Sequence, residues 1–227
     1  AVFEQAEAEG KKVAAPVSTL FAQHGRRVVQ GIFIMSTTYV IFYLMTAFVQ
    51  VYSKSPAVLS AAGHPLGLGI PANTFTGILL IGAVVFGVFI SVAGKLADSM
   101  GRRRWLLLVT VAIMIFGLAM PALLAAGDAQ AVLVFILIGM VLMGCTFGPM
   151  AAYLPELFPT EVRYSGASLA YNLASIVGAS IPTIVAIEIN SAWGLAGVGW
   201  YLAANGLLTL WALTTAPETK SLDLTRA

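Results

Sequence analysis

Residues 72–94 read ANTFTGILLIGAVVFGVFISVAG, followed by KLADSMGRRR at 95–104 and WLLLVTVAIMIFGLAM at 105–120. A helix rises about 1.5 Å per residue, so about 20 apolar residues cross a hydrocarbon core about 30 Å thick. The first block meets that length with no Asp, Glu, Lys or Arg, and the third block begins a second such run. Lys95, Asp98 and Arg102 to Arg104 crowd into the short break between them. Two apolar runs joined by a basic turn read as a membrane hairpin, its turn on the side where basic residues remain.

The same pattern extends in both directions. Runs without Asp, Glu, Lys or Arg cover 28–53, 55–94, 105–127, 129–155, 164–187 and 189–217. His64, Pro65 and Pro71 break the second run, leaving a loop ahead of the span. The reading is an all-α polytopic membrane protein with six spans, near 28–52, 72–94, 105–126, 131–153, 165–188 and 197–216. Residues 1–27 read as a soluble linker, where Pro16 and Gly25 discourage a continuous helix, and 217–227 as a tail.

Composition excludes most other classes. Hydrophobic residues are 59% of the 227 and charged residues 10%, against about 25% charged in soluble domains. Mean hydropathy is +0.91. The net charge of +2 is dispersed among the breaks, so no clustered basic face for nucleic acid is expected. The single Cys145 lies in an apolar run and excludes an intramolecular disulfide. The start lacks the apolar core of a cleavable signal, and beginning at Ala1 suggests that further chain precedes it.

Six spans place both termini on one side. That side holds Lys11, Lys12, Arg26, Arg27, Lys95, Arg102, Arg103, Arg104, Arg163, Lys220 and Arg226, leaving only Lys54 opposite. The positive-inside tendency makes both ends cytoplasmic. Trp105, Trp193 and Trp200 fall near the expected interfaces, where aromatic belts sit.

Two spans carry polar stripes. Ser36, Tyr39, Tyr43, Thr46 and Gln50 recur at helical spacing in the first, and Ser165, Ser168, Asn172, Ser175 and Ala179 in the fifth. Unsatisfied polar groups in lipid cost several kcal/mol, so such stripes face protein or a water-filled cavity. Helix adhesion through small residues accounts for the serines and for the Gly144–Gly148 pair. Tyr39, Tyr43, Gln50 and Asn172 are bulkier than adhesion needs, and Asn73 joins them as a candidate substrate contact. Gly148-Pro149, Gly178 and Pro182 are expected sites of bending. Glu188, near the outer end of the fifth span, reads either as an ion or substrate contact or as a solvated rim residue.

Three segments carry a family resemblance. Gly94-Lys95-Leu96-Ala97-Asp98-Ser99-Met100-Gly101-Arg102-Arg103-Arg104 resembles the signature loop of the major facilitator superfamily, Ser99 departing from its usual basic residue. In residue terms, Gly94 and Gly101 would permit a tight turn, and Asp98 could accept charge-assisted hydrogen bonds. The loop from Tyr153 to Gly166, with Glu156, Pro159 and Arg163, is similar to one shared by sugar porters and metabolite:proton symporters. Its continuation, Ser168 to Ala174, resembles the metabolite:proton symporter branch, and Pro217-Glu218-Thr219-Lys220 resembles the segment closing the last helix.

The resemblance implies the C-terminal half of a major-facilitator fold, helices seven to twelve, with 1–27 as its central cytoplasmic loop. It implies alternating access against an N-terminal six-helix half, in a bacterial inner membrane. Glu156, Arg163, Glu218 and Arg102 would form an inner ion-pair cluster with Arg103 beside it, and Asp98 would dock against the other half. The implied cargo is a small organic acid or zwitterion such as 2-oxoglutarate, shikimate, citrate or proline/betaine, rather than a sugar. Its implied coupling ion is a proton, or alternatively sodium, with no resident cofactor or metal. Two other readings stay open, a half-transporter acting as a homodimer and a non-transporting membrane subunit. An enzyme is not expected, since no nucleophile–base pair, His-rich metal site or phosphate loop occurs.

Overall fold

The computed structural model describes residues 17–160 and 162–219. Most of the expected linker and tail, with Lys11, Lys12, Lys220 and Arg226, lies outside the described residues. Every regular element among those described is helical. Helix α1 spans Val17–Tyr43, passes through a π-helical turn at Leu44–Phe48 and continues as α2, Val49–Lys54. Then come α3 (Ala72–Met100), α4 (Arg102–Leu118), the short α5 (Met120–Leu123), α6 (Ala129–Glu156) and α7 (Arg163–Thr215).

Among the described residues four helical stretches are long and apolar enough to cross a membrane: Leu20–Lys54, Ala72–Met100, Ala129–Glu156 and Arg163–Thr215. The last has 53 residues, about 80 Å of helix, which exceeds twice the hydrocarbon thickness. It is broken at Gly194, where φ is +68° and ψ −170°, a conformation that glycine adopts without a Cβ penalty. The fifth and sixth apolar runs are thus two limbs of one broken helix. The third run is assembled from α4, of 17 residues, and α5.

The expected bend sites do not break their helices: Pro149 lies inside α6, as does Pro155, and Gly178 and Pro182 lie inside α7. Interruptions occur instead at His24, at the π turn and at Gly194. Helix also begins at Val17, within the stretch read as linker. Gly94 forms no turn, since α3 runs on to Met100; the turn is made by Gly101 alone, at φ +100°.

Pro149 is tolerated for an identifiable reason. Proline has no N–H, so the carbonyl four residues earlier, on Cys145, loses its helical partner. The Trp105 indole Nε1 of α4 donates to that oxygen at 2.8 Å. Trp105 therefore turns its indole N–H inward to α6. Replacing it with Phe keeps an aromatic ring but orphans the carbonyl. Thermal unfolding in detergent should report a loss of about 1–2 kcal/mol, and an unchanged midpoint would show that this bond carries no weight.

α1 is held between the two limbs of α7. Gln30 Nε2 donates to the Thr215 carbonyl at 3.2 Å and its hydroxyl at 3.0 Å, while Thr37 Oγ1 donates to Thr209 Oγ1 at 2.8 Å. On another side, a Cβ on Gly178 of the first limb would come within 3.1 Å of the Tyr39 ring. Buried apolar residues form two clusters stacked along the bundle. One gathers around Phe48, Phe116 and Phe135, and the other around Met35, Tyr153 and Phe158, toward the end that carries the arginines. At the opposite end, the 55–71 connection forms a bridge between Leu59 and Pro65 and folds over the Gly194 corner. There Pro65 O accepts from Asn190 Nδ2 at 3.0 Å.

Candidate functional site

The arginine-bearing end joins three helices through one side chain. Arg102, at the start of α4, donates through Nε to Asp98 Oδ1 of α3 at 2.9 Å and through Nη1 to Glu156 Oε1 at the end of α6. Arg102 and Glu156 are 19% and 15% exposed, whereas Asp98 is 62% exposed. The two pairs are therefore unequal: the Glu156 pair is shielded, and the Asp98 pair is screened by water. The hydrogen bond to Glu156 raises the Arg102 guanidinium above the ordinary arginine range, outweighing burial, with a further contribution from Asp98. A raised arginine holds its charge at every pH below its unfolded value, so Arg102 does not titrate near neutrality.

The expected cluster of four is only partly assembled. Arg163 Nε donates to the Phe158 carbonyl at 3.4 Å rather than to Glu156. Glu218 accepts backbone N–H groups through Oε1, from Arg103 at 3.3 Å and from Thr219 at 3.1 Å. A Cβ on Gly101 would come within 2.8 Å of Glu218 Oε2, so Gly101 meets both a backbone and a space requirement. Arg103 pairs with no acid among the described residues. It donates to the carbonyls of Leu213 and Thr214, each at 2.7 Å, and so neutralises the C-terminal end of α7. Arg27 does the same for α6 by donating to the Leu157 carbonyl. That capping role was not foreseen, because an arginine in a loop reads equally as a partner for acids.

Beside this face, α1, α6 and the first limb of α7 line an open cavity of about 680 Å³. Its lining includes Arg163, Ser168, Tyr171 and Asn172 with Met35, Phe147, Met150 and Leu154. Asn172 Nδ2 is tied back to the Ser168 carbonyl at 2.8 Å. Tyr171 stands edge-on to Tyr39, ring centroids 5.6 Å apart, and its carbonyl accepts from the Tyr39 hydroxyl at 3.4 Å.

The five candidate substrate contacts are not gathered in one place. Asn172 lines the cavity and buried Tyr39 stands behind Tyr171. Tyr43 is half-buried against Phe42. Gln50, with its amide oriented to donate to Thr46 O at 3.0 Å and accept from Lys54 Nζ at 2.8 Å, belongs to the far end of the span. Asn73 is exposed in the first turn of α3, its Oδ1 accepting from the adjacent Thr74 N at 2.9 Å. The π turn at 44–48 lies between Tyr43 and Gln50 and shifts the helical phase of the stripe. Glu188 is exposed, less than two turns before the Gly194 corner. Among the described residues no group of three metal-ligating side chains forms.

An all-helical bundle with helices long and apolar enough to cross a bilayer is the architecture of a polytopic membrane protein. Residues 2–227 match the family described as sugar (and other) transporter, and the chain belongs to that family of the major facilitator superfamily. It is 60% identical over 99% of its length to a Haemophilus influenzae protein whose name assigns it to metabolite transport, covering 51% of that protein. It is 47% identical over 98% of its length to the inner membrane metabolite transport protein YhjE of Escherichia coli, covering 49%. A proline/betaine transporter of Escherichia coli is 30% identical over 97% of the chain and 42% of its own length. The chain thus spans about half the length of these curated relatives, which are named as transport proteins. No solved structure matches the chain significantly.

Proposed function

We propose that the full-length protein is a proton-coupled secondary transporter of a small organic acid or zwitterion, working by alternating access in a bacterial inner membrane. The observation that carries this reading is the 680 Å³ cavity beside a face where one arginine ties three helices together. Its volume suits a small metabolite. The Arg102 contacts supply a latch whose making and breaking biases two states separated by a few kcal/mol. In this reading the missing partner surface is an N-terminal six-helix half. Asp98, already exposed, is the group available to dock against it.

Relatives named proline/betaine transporter and citrate-proton symporter support the cargo class, and the second supports the coupling ion. The test is uptake by the full-length protein in proteoliposomes under an imposed proton gradient, inside alkaline. Expected is concentrative accumulation of an organic acid or zwitterion that a protonophore collapses. Accumulation that follows a sodium gradient instead would replace the coupling ion, and no gradient-driven uptake of either class would end the proposal.

A further inference from the structure

Helix α6 gives Phe147, Met150, Ala151, Leu154 and Pro155 to the cavity, all of them beside Pro149 or beyond it. A wall built there ought to be weak. A proline ring crowds the carbonyl four residues earlier and removes one N–H, so a helix opens on the side of the ring and bends away from it. α6 nevertheless passes through Pro149 as one helix, Ala129–Glu156.

One turn of α4 grips α6 on both sides of this weak point. Trp105 Nε1 donates at 2.8 Å to the carbonyl of Cys145, before the proline, and Arg102 Nη1 donates to Glu156 Oε1, after it. Arg102 and Trp105 stand three residues apart on α4 and so share a face. At about 3.6 residues per turn, Cys145, Pro149 and Glu156 fall on one side of α6, with Phe147, Met150 and Leu154 roughly opposite. Pro149 therefore opens the side toward α4, and the bend it favours carries the wall into the cavity. Movement toward α3 is closed off, since a Cβ on Gly144 would already lie 2.9 Å from the Phe86 carbonyl oxygen.

We infer that Trp105 is a positioning residue for the cavity, holding its α6 wall against the bend by supplying the donor that Pro149 withholds from Cys145 O. The inference rests on the transport reading, in which the cavity takes cargo, and adds the residue that sets its width. A stranded carbonyl in an apolar bundle is costly, and bending at Pro149 would open it to another donor. Trp105 satisfies the carbonyl without the bend. The Arg102–Glu156 pair works in the same direction, because a wall that folds into the cavity draws Glu156 away from α4.

The test is the rate at which N-ethylmaleimide alkylates Ala151→Cys, an exposed position of the wall, in the purified full-length protein. Native cysteines are replaced by serine, and Cys145→Ser keeps the carbonyl. Expected in Trp105→Phe is a fall of about threefold or more, as the wall closes over the probe. Gln130→Cys, exposed near the other end of α6, should react at its parent rate. Pro149→Ala restores the missing N–H, so adding Trp105→Phe to that background should leave the rate at Ala151→Cys unmoved. Where Trp105→Phe unfolds outright, its recovery by Pro149→Ala supports the inference and lack of recovery overturns it. A role confined to stability would lower the unfolding midpoint in Trp105→Phe without slowing alkylation, and that result also overturns it. So does faster alkylation, an equal fall at Gln130→Cys, or a fall that persists in Pro149→Ala. Alkylation needs neither cargo nor gradient: the expected rates in a protein that accumulates nothing would strike the transport reading and leave the wall as inferred.

Discussion

Arg102→Ala is expected to reduce gradient-driven uptake by the full-length protein more than tenfold and to destabilise it by about 3 kcal/mol. The two effects have separate causes. Loss of stability comes from Glu156, which is 15% exposed and would be left in a shielded place without its partner. Glu156 Oε2 is already buried without a hydrogen-bond partner, so Arg102 is its compensation through Oε1. Loss of uptake comes from the latch. The double variant Arg102→Ala/Glu156→Gln removes the stranded charge and should recover most of the stability while uptake stays low. Asp98→Asn should leave the unfolding midpoint nearly unchanged, since a 62% exposed i,i+4 pair contributes about 0.5 kcal/mol or less. Uptake by Arg102→Ala at the level of the parent protein would remove the latch from the mechanism. Full recovery of uptake in the double variant would show that the pair acts through stability alone.

How far the sequence could foretell this arrangement differs from element to element. Apolar runs without charge located the helices, because lipid forbids irregular backbone and a charge-free run of about 20 residues has few other fates. Gly101 was legible as a turn, since it sits between the charged end of one run and three arginines. Gly94 was misread: helix α3 extends six residues beyond it, and the charged residues Lys95 and Asp98 lie on helix rather than in a loop. The break near Gly194 was legible as a connection, because Glu188 divides the fifth run from the sixth and leaves 189–196 between the two expected spans. Gly194 itself was not singled out, and Pro182 and Gly178 drew attention to a place where the helix continues. A π turn over Leu44–Phe48 contains neither glycine nor proline and has no sequence mark at all. The polar stripe of the first span is divided for that reason, since a stripe counted at 3.6 residues per turn loses its phase where one turn is wider. Pairing of arginines was the least legible feature. A guanidinium serves a carboxylate or a helix C-terminus equally well, and Arg103 and Arg27 took the carbonyls.

The reading of Gly144 and Gly148 as adhesion between helices leads to the other large effect, because here the neighbour is backbone. A Cβ on Gly144 would lie 2.9 Å from the Phe86 carbonyl oxygen and 3.2 Å from Ile90 N. One on Gly148 would press into the Ile90 carbonyl oxygen and stand 3.2 Å from Gly94 N. A side chain in the way could rotate, but α3 could yield only by moving as a rod. Bundles in lipid depend on such close approach, having no hydrophobic effect between helices to replace it. Gly148→Val should therefore cost more than about 3 kcal/mol, beyond the usual range for overpacking a core of side chains. The measurement is the fraction of membrane-extracted protein that elutes as a single species, with its unfolding midpoint. Gly87→Ala on α3 is the internal control, since a Cβ there meets nothing within 4 Å. It should be neutral or stabilise by about 0.5 kcal/mol through helix propensity. If Gly148→Val elutes and unfolds like the parent, α3 and α6 do not meet at this glycine face, and Trp105 would no longer be needed to reach across to Cys145. Loss of folded protein in Gly148→Val but not in Gly87→Ala would fix the seam at Gly144 and Gly148 and show that the cavity wall formed by α6 is set from behind by α3.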